Sequence, residues 1–344
     1  MTAQKQINVV RLSHVTYEHP DLQLAASFLD DFGLFVVQRD DSKIYYAGYG
    51  QDPYCYVAIQ SKEKKRKFLG GTFVVASRAD LLAAASHPNA TPIVNESGPG
   101  KGEKVSITDP NGQLVNFIFG QEVKTPAPTL EITRETNTET PQPNFAYQKA
   151  RQGEFRRFKA GPSPVHKLGH YGYNVPAERF EETFDFYTKL INLKPTDSVY
   201  DPETNVDKTV FMHIDLGDTF SDHHSFFLNC APKPTAHVHH ASFEVNDFDT
   251  QSLGHNWLQK KGWVNCWGIG RHVLGSQIFD YWFDASGNIL EHYCDGDLVN
   301  NKTPWARAAE APDSLYIWGP NIPLGFVTGQ VSDAGKEFVP PAPA

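Results

Sequence analysis

Three residues in the second half of this chain could together bind a divalent metal ion. His170, His240 and Glu291 each lie in a run of alternating polar and apolar residues, which predicts a strand. Two imidazoles and one carboxylate are the ligand set of mononuclear non-haem Fe(II) sites, and the same donors suit Mn(II). Taken alone, each residue is weak evidence, because strand histidines are often core residues and a glutamate after a turn is usually exposed.

An internal repeat links the three residues. The stretch "TDPNGQLVNFI" (108–118) aligns without a gap with "FDASGNILEHY" (283–293), and two further stretches of the halves also match. The equivalent positions are His14 and His170, Gly70 and His240, and Asn116 and Glu291. All three ligand types are present in the second half, whereas the first half keeps only the first histidine. This joint pattern favours one metal site, in the second half.

The repeat also predicts the elements that position these residues. Each half begins with a short strand containing Leu-x-His, followed by a polar break and an amphipathic helix. In the second half the helix has apolar residues at three- and four-residue spacing, namely Phe180, Phe184, Tyr187 and Leu190. We therefore expect an α+β fold of two tandem domains, each built from paired βαβββ modules.

Composition along the chain predicts where these domains begin and end. The expected segments are a non-metal scaffold domain at 1–122, a Pro- and Thr-rich linker at 123–164, a catalytic domain at 165–298 and a tail at 299–344. The tail contains Trp305, Tyr316 and Trp318, and these aromatic residues predict that it packs on the catalytic domain.

The overall composition excludes several classes of protein. The chain has 344 residues, 40% of them hydrophobic, and a formal net charge of −9, which disfavours a nucleic-acid-binding protein. There is no apolar run of 18 residues, so we expect no membrane span. The four cysteines are scattered and form no CxxC pair, which is typical of reduced thiols. These features predict a cytoplasmic protein.

The stretch "GRHVLGSQIFDYWFDASGNILE" (270–291) resembles the signature of the two-domain type I extradiol ring-cleavage dioxygenases, in the vicinal oxygen chelate superfamily. The positions that fit the signature are Gly270, His272, Tyr281, Asp284, Gly287 and Glu291. Asp280 stands where an aliphatic residue is usual, and Ala285 replaces a proline. The resemblance covers roughly 10–122 and 165–298, so it includes both halves of the chain.

The resemblance implies a role for each matched residue. It implies that His170, in Leu168-Gly169-His170, and His240, rather than His239, are metal ligands together with Glu291. In "DHHSFFL" (222–228) it implies that His224 is the acid–base residue, with His223 as the alternate. It implies that His272 and Tyr281 donate hydrogen bonds to substrate oxygens; a core aromatic and a loop-capping histidine are the purely structural alternatives.

The implied activity is extradiol cleavage of a catechol by O2, with Fe(II) as the expected ion and Mn(II) as an alternative. Family members often form homo-oligomers, so we expect one here. Arg271 and Arg307 are the candidates for holding a substrate carboxylate. Two other functions stay open: a glyoxalase-type metal isomerase, which needs a fourth ligand, and a non-catalytic ligand-binding protein of the bleomycin-resistance type.

Overall fold

The computed structural model describes residues 6–124, 142–231, 233–311 and 313–339. Residues 125–141, a large part of the predicted linker, lie outside the described residues. The predicted fold class is confirmed: the regular structure of the described part consists of two large mixed sheets, a two-stranded ladder, five α-helices and two short 3-10 helices. None of these helices is both long and apolar enough to cross a membrane.

The first half forms an eight-stranded sheet with two helices. Its elements are β1 (Val9–His19), α1 (Leu22–Asp31), β2 (Phe35–Arg39), β3 (Lys43–Ala47), β4 (Tyr56–Gln60), β5 (Lys67–Val75), α2 (Arg78–Ala85), β6 (Val94–Asn95), β7 (Glu103–Thr108) and β8 (Leu114–Phe119). The strand order is β2-β3-β4-β1-β5-β8-β7-β6. Strand β1 is therefore central, between β4 and β5.

The second half forms a nine-stranded sheet. Its elements are β9 (Val165–Pro176), α3 (Phe180–Leu190), β10 (Leu193–Tyr200), β11 (Asp207–Ile214), β12 (Ser221–Asp222), β13 (Phe226–Ala231), β14 (His237–Val245), α4 (Phe248–Lys261), β15 (Val264–Arg271), β16 (Ile278–Phe283), β17 (Ile289–Cys294), β18 (Leu298–Val299), β19 (Ala306–Ala309) and α5 (Leu324–Thr328). The order is β15-β16-β17-β14-β9-β13-β11-β10-β19. Strands β12 and β18 form a separate two-stranded ladder.

The pairing of the two sheets repeats as the sequence predicts. Strand β1 pairs antiparallel with β5, which pairs parallel with β8, and β9 pairs in the same way with β14 and β17. Helix α3 has the predicted amphipathic face, with Phe180, Tyr187 and Leu190 buried. It follows the first strand of its half, as α1 does, and both helices contribute buried residues to the apolar core.

The two halves pack against each other through buried aromatic and polar contacts. The ring of Phe32 stacks on His292, with centroids 3.7 Å apart, and His292 Nε2 donates to the Phe32 carbonyl over 2.8 Å. Asp31 accepts hydrogen bonds from the indoles of Trp257 and Trp263 at 2.9 and 3.0 Å. One apolar core cluster contains residues from both halves.

Candidate metal centre

The structure brings His170, His240 and Glu291 together in the interior of the second half. One ligand atom from each residue lies within 4.8 Å of those of the other two. His170 Nε2 is 3.2 Å from His240 Nε2 and 3.1 Å from Glu291 Oε2. The exposed fractions are 2% for His170, 6% for His240 and zero for Glu291. The three side chains therefore form a buried cluster.

The register of three neighbouring strands makes this convergence possible. Ser242 on β14 pairs with His170 on β9 and also with Glu291 on β17, so the two candidate ligands flank the same position of β14. His240 lies two residues before Ser242, and the register of β9 and β14 shifts between Val238 and His240. Alternate residues of a strand face the same side, so all three side chains reach one space.

The polar atoms of the cluster are not satisfied by the protein. Both carboxylate oxygens of Glu291 and the Nδ1 atom of His170 are buried and have no hydrogen-bond partner among the described residues. A buried carboxylate without partners is costly to fold, by about 1–3 kcal/mol or more. A divalent cation would remove this cost, and nitrogen and carboxylate donors are the types that Fe(II) and Mn(II) accept. The residues present therefore fit a bound metal ion.

His239 orients one member of the cluster. Its Nδ1 lies 2.7 Å from His240 Nδ1, so the two rings share one hydrogen there. Burial lowers the pKa of His239 to about 3, which keeps its ring neutral. With Nδ1 of His240 occupied, Nε2 is the nitrogen that faces His170 and Glu291. Fixing the other ring nitrogen in this way is how proteins usually orient metal-binding histidines.

His272 and Tyr281 lie beside the cluster and contact each other. His272 Nδ1 donates to the Leu315 carbonyl over 2.6 Å, and its Nε2 is 2.9 Å from the Tyr281 hydroxyl. A neutral His272 with its hydrogen on Nδ1 must accept at Nε2, so Tyr281 donates to it. His272 Nε2 is also 3.9 Å from Glu291 Oε1. Burial, and then the Glu291 carboxylate, raises the pKa of Tyr281 well above its ordinary value, so the phenol keeps its proton.

The structure separates the two histidines that the sequence left as alternatives. The ring of His224 lies against His170, with centroids 3.9 Å apart. His223 points away from the cluster and its Nε2 lies 2.6 Å from Asp197 Oδ2. Burial, and then His170, holds the pKa of His224 well below its ordinary value, so its ring is neutral. His224 is thus the member of the pair that lies next to the candidate ligands.

Asp280, which departs from the family signature, lies on the opposite face of β16 from Tyr281. Its carboxylate accepts hydrogen bonds from His255, Asn265 and Trp282 at 2.7 to 3.1 Å. These contacts lie behind the sheet, so Asp280 does not line the cluster.

Helix α5 covers the cluster, and the sequence analysis missed it. The Phe326 ring lies 4.7 Å from His239, 4.8 Å from Trp267 and 4.9 Å from Tyr281, measured between centroids. The Pro320 carbonyl accepts from the Trp267 indole over 2.8 Å, which holds the segment in place. The only sequence signal was the short apolar run "PLGFVTG", between Pro323 and the left-handed Gly329.

Comparison with known proteins agrees with this geometry. Residues 167–292 match the family model described as the Glyoxalase/Bleomycin resistance protein/Dioxygenase superfamily. A curated relative, Metapyrocatechase 2 of Cupriavidus necator, is 28% identical over 318 residues, which cover 92% of this chain and 91% of that protein. The resemblance stated from the sequence is therefore confirmed.

Solved structures share the two-domain fold. Homoprotocatechuate 2,3-dioxygenase of Brevibacterium fuscum, in an anaerobic substrate complex, superimposes with a TM-score of 0.77 at 15% identity and covers 94% of this chain and 93% of that chain. The enzyme of the same name from Arthrobacter globiformis gives 0.74 at 17% identity, with coverage of 94% and 92%. A Mn(II)-bound glyoxalase from Novosphingobium aromaticivorans gives 0.72 at 18% identity, with coverage of 92% and 93%. The same fold is therefore found in dioxygenases and in a glyoxalase.

Proposed function

We propose that this protein catalyses extradiol cleavage of a catechol by O2, at a metal ion bound by His170, His240 and Glu291. The observation that carries the proposal is the buried cluster of two imidazoles and one carboxylate, whose oxygens have no hydrogen-bond partner among the described residues. The similarity to Metapyrocatechase 2 over nearly the whole of both chains supports the same activity. A bound Fe(II) ion would act as a Lewis acid that promotes ionisation of a catechol hydroxyl. It would also have coordination positions open for the catechol and for O2.

The chain's own residues would hold and move protons at the substrate oxygens. Tyr281 would be the hydrogen-bond donor, because its phenol keeps its proton; that hydrogen is directed at His272 Nε2 in this structure, so the hydroxyl would turn from His272 to a substrate oxygen. His224 is neutral and lies against His170, so its ring can accept a proton from a substrate hydroxyl and return it later. His223 lacks this position, which supports His224 as the acid–base residue.

Apolar side chains around the cluster would hold the aromatic ring and exclude water. Trp267 stacks on Tyr281 with an interplanar angle of 11°, and Phe326 covers both rings. Water-free surroundings strengthen the electrostatic interactions of the polar groups and protect reactive species from side reactions. Helix α5 would thus form part of the substrate pocket.

The substrate's substituents are proposed to be uncharged. Arg271 is bound to the Ser276 carbonyl and to Asp295, and Arg307 is bound to Asp207. Both arginines that the sequence offered for a carboxylate are therefore paired elsewhere. We expect alkyl- or aryl-substituted catechols to be better substrates than 3,4-dihydroxyphenylacetate, the ligand of the Brevibacterium fuscum complex.

Fe(II) is the proposed ion and Mn(II) the alternative, since the donor set suits both. A homo-oligomer and a cytoplasmic location also belong to the proposal; all four cysteines are free, which agrees with a reducing compartment.

The test is an anaerobic metal assay, followed by a spectrophotometric screen of substituted catechols with parallel measurement of oxygen uptake. We expect one iron per chain, oxygen consumption that matches catechol loss, and a coloured ring-fission product. An iron-loaded protein that consumes no oxygen with any catechol would exclude the proposed activity.

A glyoxalase-type isomerase is the second candidate, because a Mn(II)-bound glyoxalase shares the fold. Turnover of a hemithioacetal with Zn(II), Ni(II) or Mn(II), without oxygen uptake, would favour it. Ligand binding without any turnover would favour the third candidate, a binding protein of the bleomycin-resistance type.

A further inference from the structure

His223, the histidine next to the proposed acid–base residue, belongs to a buried chain of hydrogen bonds. Its Nε2 lies 2.6 Å from Asp197 Oδ2, and its Nδ1 lies 3.1 Å from His224 Nδ1. His223 and His224 are 3% and 4% exposed. A carboxylate on β10 is therefore connected, through one imidazole, to the imidazole that lies against His170.

The order of these contacts limits where the hydrogens can lie. A ring nitrogen that faces a carboxylate carries a hydrogen, so His223 Nε2 donates to Asp197. A His223 ring with a single hydrogen, on Nε2, has its lone pair on Nδ1, and in that arrangement His224 Nδ1 is the donor across the 3.1 Å contact. A neutral His224 with its hydrogen on Nδ1 has a lone pair on Nε2, which has no partner among the described residues.

The surroundings of His223 allow little movement of its ring. The Thr196 hydroxyl donates to the His223 carbonyl over 2.7 Å, and the His223 amide donates to the Asp297 carbonyl over 3.0 Å. Gly275 lies directly beneath the ring, where a Cβ atom would be only 2.8 Å from His223 Nδ1. Backbone contacts and a close glycine thus hold His223 between Asp197 and His224.

We propose that Asp197 and His223 are positioning residues that fix the ring and the tautomer of His224, so that its Nε2 is the proton acceptor in the reaction. The inference rests on the proposed function of His224. When His224 Nε2 takes a proton from a substrate hydroxyl, the new N–H bond leaves a positive charge on the imidazole. The Asp197 carboxylate, two hydrogen bonds away, stabilises that charge in a buried environment where charges interact strongly.

The tautomer is tested directly by nuclear magnetic resonance. The full chain is labelled with ¹⁵N in its histidines and loaded with diamagnetic Zn(II), and long-range ¹H–¹⁵N correlations report which ring nitrogen carries hydrogen. We expect His224 to be protonated on Nδ1 in the unchanged protein, and this preference to be lost in Asp197→Ala. A His224 ring protonated on Nε2 in the unchanged protein would overturn the proposal.

Kinetics give the second test. In Asp197→Asn we expect kcat for catechol cleavage to fall about 10- to 100-fold, the usual effect of losing a partner behind a working residue, with KM and metal content unchanged. Asp207→Asn is the matched control. Asp207 begins the neighbouring strand β11 and bonds Ser198 and Arg307, and it is not a hydrogen-bond partner of His223. An unchanged kcat in Asp197→Asn, or a loss explained by missing metal, would contradict the positioning role.

A double substitution separates positioning from general damage to the fold. Because Asp197 acts only through His224, Asp197→Ala should lower kcat further by less than about twofold when His224 is already alanine. A large additional loss would mean that Asp197 supports the site in another way. If the unchanged protein cleaves no catechol, the proposed function fails, while the tautomer measurement still tests the hydrogen-bond chain.

Discussion

The two halves of the chain hold aromatic rings in nearly the same arrangement around equivalent histidines. In the second half, His224 lies 3.9 Å from His170 and 5.0 Å from Phe211, between centroids. In the first half, the corresponding rings of Tyr54 and His14 are 4.5 Å apart, and Tyr45 lies 5.0 Å from Tyr54. The geometry of the packing is therefore shared, and the chemistry differs only in which side chains occupy it.

The halves differ in how their polar atoms are satisfied. Asn116 donates to the carbonyls of Leu69 and Gly71 and accepts from Ser106, whereas both oxygens of Glu291 lack partners among the described residues. Ser106 and Tyr281 are the register partners of Asn116 and Glu291. The first half therefore uses this position to join its own strands, and the second half leaves it available to a bound ion.

The first half supports the second mechanically. The turn that leads into the strand of Glu291 is bound by Arg66, which donates to the Gly287 carbonyl, and by His19, whose Nδ1 lies 2.8 Å from the Ser286 hydroxyl. A half that lost its ligands thus keeps a role, because it fixes the strand that carries the remaining carboxylate. The scaffold role of the first half stays a prediction.

Exchanging the residue that distinguishes the halves should have the largest effect. Glu291→Asn introduces the first-half residue and removes the only anionic ligand, so we expect metal content near zero and a loss of catechol cleavage of about 10³-fold or more. Metal analysis and steady-state kinetics measure this. Asn116→Asp, which places a carboxylate at the equivalent position of the first half, should keep the metal content unchanged; if it loses metal, the halves are not functionally distinct.

Removing the proposed acid–base ring tests the second difference. His224→Ala should keep its metal and its affinity for catechol but lose about 10²- to 10⁴-fold in kcat, because a positioned proton acceptor contributes that much. Metal content, catechol binding under anaerobic conditions and turnover should be measured on the same preparation. A fully active variant would show that the role assigned to His224 is wrong.

Gly70 shows why the first half cannot easily regain the second histidine. It has a φ of +91°, and a Cβ atom there would lie 2.2 Å from the Leu114 carbonyl oxygen. We expect Gly70→Ala to lower the free energy of unfolding by about 2 kcal/mol or more, measured by urea titration. Gly112 has a similar φ, but the space around its Cβ position is open. Gly112→Ala should therefore lower the free energy of unfolding by only about 1 kcal/mol. Equal losses would show that the close contact is unimportant.

Helix α5 does not enter the comparison of the halves, and removing its Phe326 side chain should have a moderate effect. Phe326→Ala should raise KM for catechol roughly tenfold, which corresponds to about 1.4 kcal/mol of lost apolar contact, with metal content unchanged. Val327→Ala is the control, since Val327 is 37% exposed on the same helix. If both variants behave alike, Phe326 does not contact the substrate.

The smallest expected effect concerns acid stability. Burial, followed by Lys104 and Lys43, holds the pKa of His14 well below its ordinary value. The unfolded chain therefore takes up a proton below about pH 6.5 that the folded chain does not, and stability falls as the pH decreases. We expect the free energy of unfolding to fall by about 1 kcal/mol less in His14→Asn than in the unchanged protein between pH 6.5 and 5.5. Urea titrations at the two pH values measure this. Parallel curves for the two proteins would contradict this account.

The sequence predicted the elements that duplication had preserved. The strands of His170, His240 and Glu291, and the apolar face of α3, follow from local periodicity, which survives divergence because each half needs its core. The opposite directions of Asp280 and Tyr281 also follow from the two-residue period of a strand, and could have been inferred.

Other features depend on contacts that no local pattern reveals. His223 and His224 lie between β12 and β13, so no strand period distinguished them. Phe326 is brought to Tyr281 and His239 from a short helix far along the chain. Of the tail aromatics that the sequence singled out, Tyr316 packs against Trp267, whereas Trp305 and Trp318 are exposed. The direction of a tail across a domain depends on tertiary packing rather than propensity.

The position of α5 in the chain also has a consequence for biosynthesis. The three candidate ligands end at Glu291, and the segment that covers them, with Leu315, Pro320 and Phe326, leaves the ribosome later. The catalytic sheet can therefore form while the cluster is still uncovered, which gives an incoming ion a period of easy access. Docking of the later segment then places Phe326 against His239 and Tyr281 and covers the centre.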